Sequence, residues 1–182
     1  MKKILGIAFM AATLISGYQA NAQTNMDKKM PEDKSKRPSP PATVKETIKS
    51  GATITINYSQ PAVKGRTIGK DLEPMDGKVW RTGANEATVF ETDKNVTIDG
   101  QSLPAGKYAF FTIFNNEEVT LIFNKVYNQW GAFKYSQAED QLRVNTKLKE
   151  EKKATERLTF TISKKGKVNL LWGTKNVSFE VK

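Results

Sequence analysis

Hydrophobic and polar residues alternate over much of the chain beyond residue 52. Ile54, Ile56 and Tyr58 alternate with Thr53, Thr55 and Asn57. Leu158, Phe160 and Ile162 alternate with Arg157, Thr159 and Thr161, and Val177, Phe179 and Val181 with Ser178 and Glu180. A period of two marks a strand with one buried face and one wet face. Residues 108–114 and 119–123 are apolar on both faces, which predicts central strands covered on both sides. Shorter runs at 79–81, 87–91, 96–98, 142–146 and 168–172 complete the set. Turn residues fall between these runs. Asp99-Gly100 joins 96–98 to 101–103 as a two-residue hairpin. Asn115-Asn116-Glu117 separates the two central strands, and Lys165-Gly166 links the strand holding Phe160 to the one holding Leu170. Only two short stretches read otherwise. Residues 136–141 suit one helical turn, and the charged residues 147–156 read as a helix or a mobile surface loop. The pattern predicts an all-β fold, an antiparallel β-sandwich of jelly-roll type with about ten short strands.

The ends of the chain break this pattern. Lys2 and Lys3 precede an uncharged apolar run over residues 4–18, and Ala20-Asn21-Ala22 supplies small residues in a cleavage-site spacing. That layout predicts a signal peptide over residues 1–22 and an exported protein, in the periplasm or outside the cell. The run is shorter than the roughly 20 residues a membrane-spanning helix needs, and no later segment comes near that length. Residues 23–43 hold Pro31, Pro38, Pro40 and Pro41 among charges and almost nothing large and apolar, which reads as a disordered linker. A single β-sandwich domain then occupies residues 44–182.

Composition narrows the chemistry. The 182 residues include 29 Lys+Arg and 19 Asp+Glu, a formal net charge of +10, with no His and no Cys. Without those two residues there is no imidazole base, no thiolate nucleophile, no disulfide and no zinc or iron–sulfur site of the usual kind. No metal and no cofactor is expected. The excess lysines are scattered among acids, and no nucleic-acid-reading motif is present, so nucleic acid is not an expected partner. A small molecule, an anionic glycan or an envelope protein fits this charge better.

The densest chemistry lies in Val79-Trp80-Arg81-Thr82-Gly83-Ala84-Asn85-Glu86-Ala87-Thr88. Trp80 offers a stacking face, Arg81 a fork for carboxylate or phosphate, Thr82, Asn85 and Glu86 orienting polar groups. Gly83 and Ala84 allow a tight turn. Two readings stand side by side. In one, Trp80, Arg81, Thr82, Asn85 and Glu86 form a ligand-binding loop, with Arg66 of Lys64-Gly65-Arg66-Thr67 closing over it. In the other, Trp80 plugs the core and Arg81 pairs with Glu86 to pin the chain. Asn128-Gln129-Trp130-Gly131 is either a second aromatic platform or a lid folded onto the core.

Several of these segments resemble an uncharacterised family of exported bacterial proteins, domain-of-unknown-function family 2911. The resemblance rests on Ser39-Pro40, Tyr58-Ser59-Gln60-Pro61, Lys64-Gly65-Arg66 and the run from Val79 to Thr88. It continues through Leu103-Pro104-Ala105-Gly106-Lys107-Tyr108, Phe123-Asn124-Lys125, Asn128-Gln129-Trp130-Gly131 and Asp140 with Leu142-Arg143-Val144. It spans residues 39–182 and implies an exported β-rich domain with no assigned reaction.

The leading expectation is a non-catalytic ligand- or partner-binding β-sandwich of the cell envelope. One alternative is a glycan-processing enzyme using two carboxylates, for which Glu86 and Asp140 are the candidates. Another is a structural protein of envelope assembly, which predicts an exposed apolar patch.

Overall fold

The computed structural model describes residues 32–182. The leader read over residues 1–22, and residues 23–31 of the linker, lie outside them. Asp33–Lys182 forms one compact unit. Ten strands follow in order: β1 (Pro41–Thr47), β2 (Thr53–Ser59), β3 (Val79–Trp80), β4 (Thr88–Thr92), β5 (Val96–Ile98), β6 (Gln101–Leu103), β7 (Gly106–Asn115), β8 (Glu118–Asn124), β9 (Asp140–Ile162) and β10 (Lys167–Glu180). Among the described residues, helix is limited to the 3-10 turns Lys34–Lys36 and Gln137–Glu139. Among the described residues no helix is long and apolar enough to cross a membrane.

The all-β, antiparallel class read from the sequence is the one the chain adopts. Its two facing layers belong to one continuous sheet, in the order β1-β2-β4-β7-β8-β9-β10, with β3 also on β7 and β5-β6 as a separate hairpin. The sheet curls because β9 is long. Its first part pairs with β8 (Leu121 opposite Val144) and its last part with β10 (Phe160 opposite Leu170). β9 then returns to the other edge, where Ala62 bridges Arg157 and the Val63 N–H donates to the Glu156 carbonyl at 2.9 Å.

Inside the curl the alternating residues form the main core. Ile54, Ile56, Phe90, Phe110, Leu121 and Phe123 face Phe160, Leu170 and Phe179, all at most 3 % exposed. The Phe110 ring lies 6.1 Å from Phe160 and 5.8 Å from Phe179. A smaller cluster of Ala87, Ala109, Phe111 and Ile122 occupies the outer face, with Ala132 and Tyr135 of the β8–β9 connection packed on it. β7 and β8 are therefore buried on both sides, as the apolar residues on both of their faces predict.

Two segments differ from the sequence reading. Residues 147–156 are neither helix nor loop but the middle of β9, paired with β10 through Leu148–Val177, Lys149–Asn176 and Glu150–Lys175. Beyond Leu148, which packs on the main core, residues 149–156 are exposed or half-exposed on both faces, so they show no hydrophobic alternation and their charges mask the strand. Residues 33–43, read as linker, carry a 3-10 turn and the first residues of β1. Asp33 caps that turn, its side chain accepting from the Ser35 N–H at 3.1 Å.

Candidate functional site

β3 and β4 run end to end along the same edge of β7. Trp80 pairs with Thr112 and Thr88 with Phe110, so residues 81–87 are all spent opposite Phe111 alone. This excursion is the segment singled out in the sequence. It is held from within. The Trp80 indole is 2 % exposed, lies 6.1 Å from the Phe114 ring in an edge-to-face arrangement, and donates its Nε1–H to the Gly83 carbonyl at 3.1 Å. Thr82 is fully buried with φ +53°, its hydroxyl 3.1 Å from that of Thr112. The Thr88 hydroxyl donates to the Thr82 carbonyl at 2.8 Å. A Cβ on Gly83 would meet the Thr88 hydroxyl at 3.0 Å and the Ser59 carbonyl at 3.2 Å, so any side chain there would crowd both. Trp80 and Thr82 thus serve the loop's own frame, and the wide stacking face expected of Trp80 is turned inward.

Asn85 and Glu86 point to a different side. Asn85 adopts φ +59°, which asparagine tolerates, and its Nδ2–H donates to the Ser39 carbonyl at 3.0 Å. Glu86 does not pair with Arg81. Lys34 and Arg37 each donate to one of its oxygens at 2.8 Å, because the segment before β1 lies over the loop and brings two cations to it. Burial pushes the Glu86 carboxyl up. Hydrogen bonds from Lys34, its own backbone and Arg37, with the Lys34 charge, outweigh this and hold it at about 2. The Arg37 guanidinium also lies 5.6 Å from the centre of the Trp130 ring.

Arg81 is left facing a cavity of about 200 Å³ bordered by Arg66, Leu72, Glu73, Trp80 and Trp172. Its Nε is buried without a hydrogen-bond partner, and among the described residues its guanidinium has no ion pair. Burial pulls the guanidinium below its ordinary pKa, and the charge of Glu73 acts in the opposite sense. Arg66 is pinned at the same cavity by donating to the carbonyls of Ala62 at 2.7 Å and Val63 at 3.2 Å. Of the six residues proposed from the sequence, Arg66, Trp80 and Arg81 share this cavity. Thr82 lies in the loop frame, and Asn85 and Glu86 hold the N-terminal segment.

Other groups were not legible beforehand. Glu73, a few residues before β3, and Trp172, far along the chain, complete the cavity, joined by a Trp172 Nε1–H bond of 2.8 Å to the Glu73 carbonyl. Asp140 is enclosed in a polar cluster. Tyr135 donates to it at 2.7 Å, Asn124 at 2.8 Å and Arg143 at 3.0 Å. Burial first, then Asp140, pushes the Tyr135 hydroxyl up to about 12. This cluster fastens the β8–β9 connection to the outer face. That connection presents Trp130 at 54 % and Phe133 at 83 % exposure, so Trp130 is turned outward and does not lid the core. Among the described residues no group of three or more acidic side chains is placed to hold a metal ion.

No curated protein and no solved structure matches this chain. A family model described as a protein of unknown function (DUF2911) matches residues 39–181, and the chain belongs to that family.

Proposed function

We propose that this protein is an exported, non-catalytic binding module that takes a small anionic ligand in the Arg81 cavity. The observation that carries the reading is the partly buried Arg81 guanidinium, with an unpartnered Nε, at a cleft that also holds Arg66. Withdrawing a cation from water without a partner is unfavourable, so a site of this kind favours an incoming carboxylate or phosphate. Trp80, Thr82 and Gly83 support the reading by making the loop rigid, which lowers the ordering cost of binding. Asn85 contributes at a distance by holding Ser39, itself at the cavity rim, and Glu86 by holding Lys34 and Arg37 of the same segment.

The glycan-processing alternative has less support. A general acid needs a raised pKa, and Glu86 is held at about 2. Asp140 is already committed to Tyr135, Asn124 and Arg143. Export rests on the basic–apolar–small layout of residues 1–22. Mass analysis of protein recovered from the envelope should show cleavage after Ala22, and an intact leader would remove that part of the reading.

Calorimetric titration with acetate, 4-methylpentanoate and inorganic phosphate tests the site. At least one should bind the wild type, and binding should weaken by about tenfold or more in Arg81→Met, the loss expected for a charge-assisted hydrogen bond. Equal binding by the variant would overturn the reading.

A second surface favours a protein partner. Phe133 and Trp130 stand out of the β8–β9 connection beside Tyr127 and Val126, each more than 40 % exposed. Exposed apolar side chains gathered on one loop mark contact surfaces. Phe133→Ser should leave stability within about 0.5 kcal/mol of wild type, as for an ordinary surface position. A larger loss in chemical denaturation would make the ring part of the fold.

A further inference from the structure

The cavity that holds Arg81 also carries an opposite charge, and this narrows the class of ligand. Glu73 borders the same space. It is fixed from two sides: its Oε2 accepts the Met75 N–H at 2.8 Å, and its carbonyl accepts the Trp172 indole N–H at 2.8 Å. Its second carboxylate oxygen makes no hydrogen bond among the described residues. Glu73 and Arg81 do not close into an ion pair, although both stand at one cleft. Leu72, Trp80 and Trp172 give the same space apolar walls. A volume of about 200 Å³ is below the roughly 300–1,000 Å³ of sites for drug-sized molecules, so the occupant is small.

A held-apart pair of opposite charges discriminates by sign. A simple anion is drawn by Arg81 and Arg66 but held less tightly because of the Glu73 charge, and a simple cation on Glu73 is repelled by Arg81 and Arg66. A molecule bearing both charges a few bonds apart meets each with its complement. Resting on the anion-binding reading above, we propose that the ligand is a small amino acid with an apolar side chain. Its carboxylate lies on Arg81, with Arg66 at the rim. Its ammonium group lies on Glu73, and its side chain packs between Leu72 and the two indoles.

Three matched probes separate this proposal from the reading it rests on: leucine, 4-methylpentanoate, which lacks the ammonium, and 3-methylbutylamine, which lacks the carboxylate. Each is titrated calorimetrically into the wild-type protein, Glu73→Gln and Arg81→Met, with circular dichroism confirming that every variant is folded. Glutamine retains an oxygen for the Met75 N–H. The expected result is that leucine binds the wild type about tenfold or more tighter than 4-methylpentanoate, the worth of one charge-assisted contact. Glu73→Gln should erase that preference while keeping carboxylate binding, and Arg81→Met should weaken both. If 4-methylpentanoate binds as tightly as leucine, or if Glu73→Gln leaves the preference intact, the amino-acid proposal fails and the anion site stands. If no carboxylate or phosphate binds the folded wild type, both fail. If 3-methylbutylamine binds best, the site is cationic in its preference and both are overturned.

Discussion

Gly166 turns the chain between β9 and β10 with φ +87°, and a Cβ there would sit 1.9 Å from the carbonyl oxygen of Val181. That contact is with backbone, and the Val181 N–H donates to the Gly166 carbonyl at 2.8 Å, so neither side can yield easily. Gly166→Ala should therefore cost about 3 kcal/mol, at the upper end of backbone-strain effects, read from the urea midpoint. Glu86 offers a test of a different kind. Its folded-state pKa, about 2, lies below the ordinary 4.5. The folded state thus holds fewer protons in this range, and the stabilising contribution is fully present above the ordinary value. It is lost as pH falls from about 4.5 towards 2. Glu86→Gln should lower stability at neutral pH and flatten the fall below pH 4.5. The group is partly exposed, so solvent screening keeps the effect modest. An unchanged pH profile of the urea midpoint would mean that Lys34 and Arg37 do not hold Glu86 in solution.

Among the elements, the excursion between β3 and β4 shows what sequence can and cannot say. Trp-Arg-Thr-Gly-Ala-Asn-Glu was visible as an unusual gathering of chemistry. The division of its side chains among an inner frame, a cavity and the N-terminal segment was not, because it depends on partners far along the chain. Arg81 meets a cavity completed by Trp172, and Glu86 meets Lys34 and Arg37. The half-buried strands announced themselves through alternation. The wet ribbon of β9 did not, since alternation requires one face to be buried. Trp80 measures the frame. Trp80→Phe removes the Nε1–H bond to Gly83 and leaves a void beside Phe114, so it should cost about 2 kcal/mol. The wild-type Trp80 emission should be blue-shifted and shielded from acrylamide. A freely quenched Trp80 component, with no stability change in the variant, would place the ring at the surface.

For the whole molecule, one curled sheet supplies both a cysteine-free core and a rigid edge on which the crossover loop is mounted. Aromatic residues from β4, β7, β8, β9 and β10 interlock through the centre, so the rim can hold polar groups that the packed core does not use. Arg81 is the clearest of these. A cation drawn partly out of water and left without a partner is a cost to the unliganded fold, and sites kept for function often carry such a cost. The most direct measurement is the urea unfolding free energy of Arg81→Met against wild type, without ligand. If the guanidinium is kept for a ligand, the variant is as stable as the wild type or more so, and it loses carboxylate binding. A loss of about 2 kcal/mol or more would mean that Arg81 holds the crossover together, and would contradict the account.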